Sequence, residues 1–193
     1  MNLGELYTVL GRPATALRQL QQAQESFGRF GNAMEVSTGQ MLQAQLLARI
    51  GSLDSAIARY EQALQTMKPL ALQPQMGALL VNYAIALRRA GEYKRARTVL
   101  DQAEAIWQPL HNQAWLLAIV LERITLALER QDAAQAEQLR QSVSQEEVAR
   151  NPRLRAEFAW PQAEIIRQRG MACADDKAKT AYRAAYAFGS EQG

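Results

Sequence analysis

Chemistry at a protein site needs a nucleophile, a base and stabilising groups, or a set of metal ligands, brought together in one place. The chain is poor in all of them. It has one histidine, His111, and one cysteine, Cys173, so no zinc site of the usual Cys/His type can be assembled and no disulfide can close within it. His111 stands beside Asn112 between two apolar-periodic stretches, where a plain loop residue is a simpler reading than an acid or base. Asp175 and Asp176 follow Cys173 closely, and negative charge there disfavours the thiolate that a nucleophile requires. Acidic pairs such as Glu146 and Glu147 read as solvated helix surface, and no Gly-rich phosphate loop occurs. The residues argue against an enzyme and imply neither a metal nor a cofactor.

The basic residues offer a different chemistry. Arg88, Arg89, Lys94, Arg95 and Arg97 gather around one turn, and Arg150, Arg153 and Arg155 form a second group; the first could grip phosphates. Against this, Glu92 and Asp101 interrupt the cluster, and Arg88 and Arg89 are what the dipole at a helix C-terminus favours. The formal charge is only +3, from 22 basic and 19 acidic residues, so nucleic acid is the second reading rather than the first. At 48% hydrophobic and 21% charged the 193 residues are globular in character. The opening "MNLGELYTVL" lacks the basic start and long apolar core of a signal peptide, and nowhere do about 18 apolar residues run together to cross a bilayer. With the sparse cysteine, this predicts a soluble, cytoplasmic protein with no membrane partner.

What positions these residues is a repeat. Gly11, Gly51 and Gly91 are spaced forty residues apart. Five residues after each comes an alanine (Ala16, Ala56, Ala96), and seven further on another (Ala23, Ala63, Ala103), with Leu20, Tyr60 or Leu100 between. Phe27, Met67 and Trp107 share a further phase, as do Phe30, Leu70 and Leu110. Apolar residues recur at three- and four-residue steps on both sides of the glycine, so each unit reads as helix, tight turn, helix. Glycine accepts the positive φ needed just past a helix end, and the alanines let a second helix approach closely. The aromatics Phe27, Tyr60 and Trp107 therefore read as core, whereas Trp115 and Trp160 are less regular. A buried skeleton that must repeat, beneath a surface free to vary, is the signature of a solenoid.

This pattern resembles the tetratricopeptide repeat, in which a small residue lies where two helices cross, here Gly4, Ala44 and Ala84. Three units match well. The fourth keeps Ala136 but places Gln131 at the turn, Ile124 at the small position and Arg140 where a large apolar residue is expected. In the fifth, Ala163, Ile166 and Gly170 fit a first helix, and Ala178, Tyr182 and Ala185 fit a second after an irregular turn holding Cys173. The 40-residue period exceeds the usual period of about 34, and with the Ala/Leu/Gln-rich composition it resembles the long-repeat arrays of the maltose-regulon activator and related bacterial regulators. The fold expected is all-α: a right-handed α-solenoid of antiparallel helix pairs filling 1–193 as a single array. Its about five units would span approximately 1–32, 33–72, 73–112, 113–152 and 153–193.

The resemblance also implies a function. First helices of such arrays line a concave groove, and the groove positions carried over by phase are Met41, Gln45 and Arg49, then Val81, Ile85, Arg88 and Arg89, then Leu121, Thr125 and Glu129. The lysines and asparagines with which chaperone-binding members clamp a peptide carboxylate are replaced here by Met41, Val81, Ile85 and Leu121. An apolar centre with a charged edge suits an amphipathic helix or extended peptide instead. The implied role is a non-catalytic protein-interaction scaffold in a signalling or transcription regulator; nucleic-acid binding through the basic turn and a small-molecule effector within the array are the alternatives. Uncapped apolar ends would imply a longer chain or self-association. Pro13 is expected in the first turn of its helix, Pro69, Pro74, Pro109 and Pro152 in loops between units, and Pro161 at a kink near Trp160.

Overall fold

Alanine at the crossing points and leucine or an aromatic beside it produce helices, and helices are what form. In a computed structural model, which describes residues 13–29, 31, 33–144, 148, 152–169 and 180, the chain is all-helical, with no strand among the described residues. Eight α-helices are described: α1 (Pro13–Arg29), α2 (Ala33–Arg49), α3 (Leu53–Met67), α4 (Gln73–Arg89), α5 (Tyr93–Trp107), α6 (Gln113–Glu129), α7 (Ala133–Gln141) and α8 (Pro152–Gln168). The forty-residue period is written into their bounds. α2, α4 and α6 begin at 33, 73 and 113 and have the same length, and α1, α3, α5 and α7 begin at 13, 53, 93 and 133.

The turns repeat at the level of single hydrogen bonds. After α2 the amide of Ser52 donates to Leu47 O at 2.9 Å, after α4 that of Glu92 donates to Leu87 O at 2.9 Å, and after α6 that of Asp132 donates to Ala127 O at 2.9 Å. Each closes a left-handed helix cap centred on Gly51, Gly91 and Gln131, with φ of 86°, 81° and 60°. Gln131 therefore takes the glycine conformation despite its Cβ. Its unit compensates at the next residue, where the Asp132 carboxylate accepts from the Gln135 amide at 3.0 Å; Ser52 and Glu92 make no such cap. A second set of turns, at Gly31, Ala71 and His111, is also left-handed and also spaced by forty. His111 is thus a turn residue between α5 and α6.

The chain forms two compact units, Met1–Asn112 and Gln113–Gly193. In the first, α1 packs on α2, α2 on α3, α3 on α4 and α4 on α5, and α2 also touches α4. This is the packing of a helical repeat. Its core holds the expected skeleton: Ala16, Ala44, Ala56, Ala63, Ala84, Ala96 and Ala103 are fully buried, beside Leu20, Tyr60 and Leu100. In the second unit α6 packs on α7, and α8 on both. Ile124, Ala127, Leu128, Ala136, Phe158 and Ile165 form its centre, so Ile124 fills the position that small residues hold elsewhere. Arg140, which replaces the Leu20, Tyr60 and Leu100 of earlier units, is half-buried and donates from Nε and Nη2 to both Glu137 oxygens at 2.8 Å. That pairing holds the Glu137 carboxyl below its ordinary range.

Several sequence expectations are corrected. Phe27 is not core but 38% exposed, and Ala23 and Leu110 at the same recurring phases are exposed as well. Pro74 and Pro152 lie not in loops but in the first turns of α4 and α8, where a missing N–H breaks no helical bond. At Pro161, which is buried, α8 does not break but continues to Gln168. The proposed turn with Cys173 and the second helix with Ala178, Tyr182 and Ala185 lie outside the described residues, as do Gly4, Gly11, Phe30, Glu146, Glu147, Arg150, Gly170, Asp175 and Asp176.

Candidate functional site

The Met1–Asn112 unit places α2 beside α4, and the two helices carry the expected groove residues at matching phase. Met41 and Gln45 of α2 and Ile85 and Arg88 of α4 are half-buried, and Arg49 and Arg89 are exposed. Val81 is 3% exposed and belongs to the core of the unit, so it offers a partner little surface. Its neighbours Leu79, Leu80, Tyr83 and Ala84 are buried with it, because α4 contacts helices on several sides. Leu121, Thr125 and Glu129 hold the same phase on α6 in the other unit: Leu121 and Thr125 are half-buried, Glu129 is exposed, and Thr125 Oγ1 donates to Leu121 O at 2.9 Å.

The basic turn is partly occupied. Arg95 Nη2 donates to Glu61 Oε1 and to the Tyr83 hydroxyl, both at 2.6 Å, while its Nη1 donates to Glu92 Oε2 at 2.5 Å. Tyr83 in turn donates to Glu61 Oε1 at 2.9 Å. Burial, with the Glu61 carboxylate beside it, pushes the Tyr83 hydroxyl up to about 12, and hydrogen bonds to Glu92 and Glu61 hold Arg95 more firmly protonated than usual. Tyr83 also packs on Tyr60, ring centroids 5.7 Å apart at 34°. The Glu61–Tyr83–Arg95 clasp, which joins α3, α4 and α5, was not foreseen from sequence: Arg95 read as a phosphate ligand, and its partner Glu61 lies 34 residues away. With Arg95 engaged and Arg88 half-buried, Arg89, Lys94 and Arg97 are the exposed cations left around that turn.

Among the described residues of the first unit, two sets each line a cavity. One of about 510 Å3 runs between α1 and α2, with Leu20, Ala23, Phe27 and Leu42 on its wall, which accounts for the exposure of Phe27. The other, about 450 Å3, is bounded by α1, α2 and α3 and is more polar. Among the described residues no group of three or more His, Cys, Asp or Glu side chains could hold a metal, and no helix is long and apolar enough to cross a membrane. Compared with known proteins, the chain matches no family model and is significantly similar to no curated protein.

Proposed function

We propose that the chain is a non-catalytic, cytoplasmic protein-interaction scaffold, built as a right-handed tetratricopeptide-like solenoid of about five helix pairs, and that it serves as a partner-binding arm of a bacterial regulator. The supporting observation is that α2 and α4 repeat in length, register and turn hydrogen bonds while their outward residues differ. A fixed frame carrying variable side chains selects partners by surface rather than by chemistry. Met41 and Ile85 would supply the apolar centre, Gln45 a polar contact beside them and Arg49 and Arg89 the charged edge, a pattern suited to an amphipathic helix laid side-on. The test is selection of binders from a displayed library of amphipathic helical peptides, followed by titration against a Met41→Glu, Ile85→Glu variant whose circular dichroism is unchanged. Binding lost in the variant and insensitive to salt supports the groove; binding retained in it overturns the groove.

The second reading, nucleic acid, rests on Arg89, Lys94 and Arg97. It requires DNA or RNA binding that falls steeply with salt, with the slope reduced by roughly one for each cation removed.

A further inference from the structure

α1 departs from a rule that α3 and α5 obey. At the phase of its Ala23 and Phe27, Ala63 and Ala103 are fully buried, and Met67 and Trp107 are only 1% and 4% exposed. Ala23 and Phe27 themselves are exposed. The cover on α5 comes from α4: a Cβ on Gly77 would lie 2.6 Å from Trp107 Nε1 and 2.7 Å from its Cε2, so the indole rests on helix backbone with no side chain between. Ser37 holds the same phase on α2 and is fully buried. Over such a strip the repeat lays a helix with a very small residue at the contact, where two helices can approach closely.

A second exchange opens the wall beside the strip. The position that holds Leu79 on α4 and Ile119 on α6, both fully buried, holds Gly39 on α2. A Cβ there would meet Gln24 Cβ at 3.6 Å, an ordinary contact, so the glycine leaves an open notch and does not serve a close approach of helices. Leu20, Ala23, Phe27, Gly39 and Leu42 all line the cavity of about 510 Å3, which makes strip and notch one surface. No lysine or arginine lines it, so it does not suit a phosphate ligand. From Leu20 to Phe27 the helix rises about 10 Å, or two turns. A face of that length and one helix wide falls far below the roughly 800 Å2 per partner that a stable dimer buries, and it matches a short helical segment.

We propose that this face docks a short amphipathic helix of a partner protein, which lies along α1 as α4 lies along α5. A glycine or serine of that helix meets Phe27, a leucine-sized side chain enters the notch at Gly39, and the adjoining turn covers Ala23 and Leu20. The face uses no residue of the proposed groove, so either can fail without the other.

The probe is an acetylated and amidated peptide copying Gln73–Ala84 of α4, held helical by a lactam between positions 78 and 82, which are half-buried in α4. It is titrated into the full chain and followed by NMR at the Gly39 amide and the Phe27 ring. Saturable shifts at both are expected. Gly77→Leu in the peptide should weaken binding roughly tenfold, because the small residue at the contact is lost. In the protein, Gly39→Leu fills the notch as Leu79 does in α4; it should melt no lower than the parent, since leucine is the better helix former, and should bind roughly tenfold more weakly. Phe27→Glu, at an exposed position, should abolish the shifts with circular dichroism unchanged. Absence of a saturable shift up to about 2 mM peptide overturns the site. Binding that Gly39→Leu and Phe27→Glu both leave unaltered overturns it too. A chain that sediments as a dimer and becomes monomeric in Phe27→Glu overturns the partner helix, since a second copy would then hold the face.

Discussion

Replacing Gln131 by glycine should stabilise the protein although it removes a side chain. Gln131 ends α6 with φ of 60°, and the amides of Gln131 and Asp132 donate to Leu128 O and Ala127 O, both at 2.9 Å, as at the glycine turns. An L-residue with a Cβ costs about 1–2 kcal/mol in that conformation, and glycine relieves it. Against this, glycine enlarges the unfolded ensemble, a loss of about 0.4–1 kcal/mol. The midpoint of the difference is a gain of about 0.8 kcal/mol, or about 2 °C in melting temperature for a chain of this size. Gln131 is exposed, so little packing is lost with its side chain. Gly91→Ala makes the converse change at φ of 81° and should lower the melting temperature by at least as much. Gln131→Ala, which keeps a Cβ, should be close to neutral. Thermal melts by circular dichroism, with hydrogen exchange at the Asp132 amide as the local readout, check all three. A lower melting temperature for Gln131→Gly would refute the argument, since the turn would then depend on the glutamine side chain and not on its backbone.

Other consequences can be measured in the same way. A Cβ on Gly77 would lie 2.6 Å from Trp107 Nε1, so Gly77→Ala should cost about 1–2 kcal/mol net of its gain in helix propensity and shift the Trp107 emission; an unchanged melt and spectrum would show the indole is not seated there. Ala96→Leu, at a fully buried crossing point, should destabilise by about 1–3 kcal/mol, whereas the same change at exposed Ala58 should be within about 0.5 kcal/mol. Tyr83 titrates near 12 in the fold against about 10 unfolded, so its contribution is complete below pH 10 and is lost as pH rises toward 12. Tyr83→Phe should therefore flatten the alkaline fall in stability, and identical alkaline profiles would remove the clasp from consideration.

The parts of the fold legible in the sequence were those governed by backbone and volume. Glycine at a left-handed cap and alanine at a helix crossing have few substitutes, so Gly51, Gly91, Ala56 and Ala96 announce their roles by spacing. Where a role has substitutes, the signal thins. Gln131 performs the glycine turn with help from Asp132, Ile124 fills a small-residue site, and Arg140 enters a large apolar position by carrying Glu137 with it, which is why the fourth unit read as degenerate although its helices keep the period. Side-chain meetings across helices were harder still. Arg95 looked like a phosphate ligand because its neighbours in sequence are basic, whereas Glu61 and Tyr83 reach it only through packing. Phe27 shares a phase with buried Met67 and Trp107 yet is exposed, since phase fixes the face of a helix and not whether another element covers that face. The same distinction bears on partner choice. The recurring residues hold the frame, so under the proposed function specificity should reside where the repeats disagree at equivalent positions: Gln45 against Ile85, both half-buried, and Gln43 against Tyr83, both buried. A change at either kind of position that alters binding without altering the melt would separate recognition from architecture in this chain.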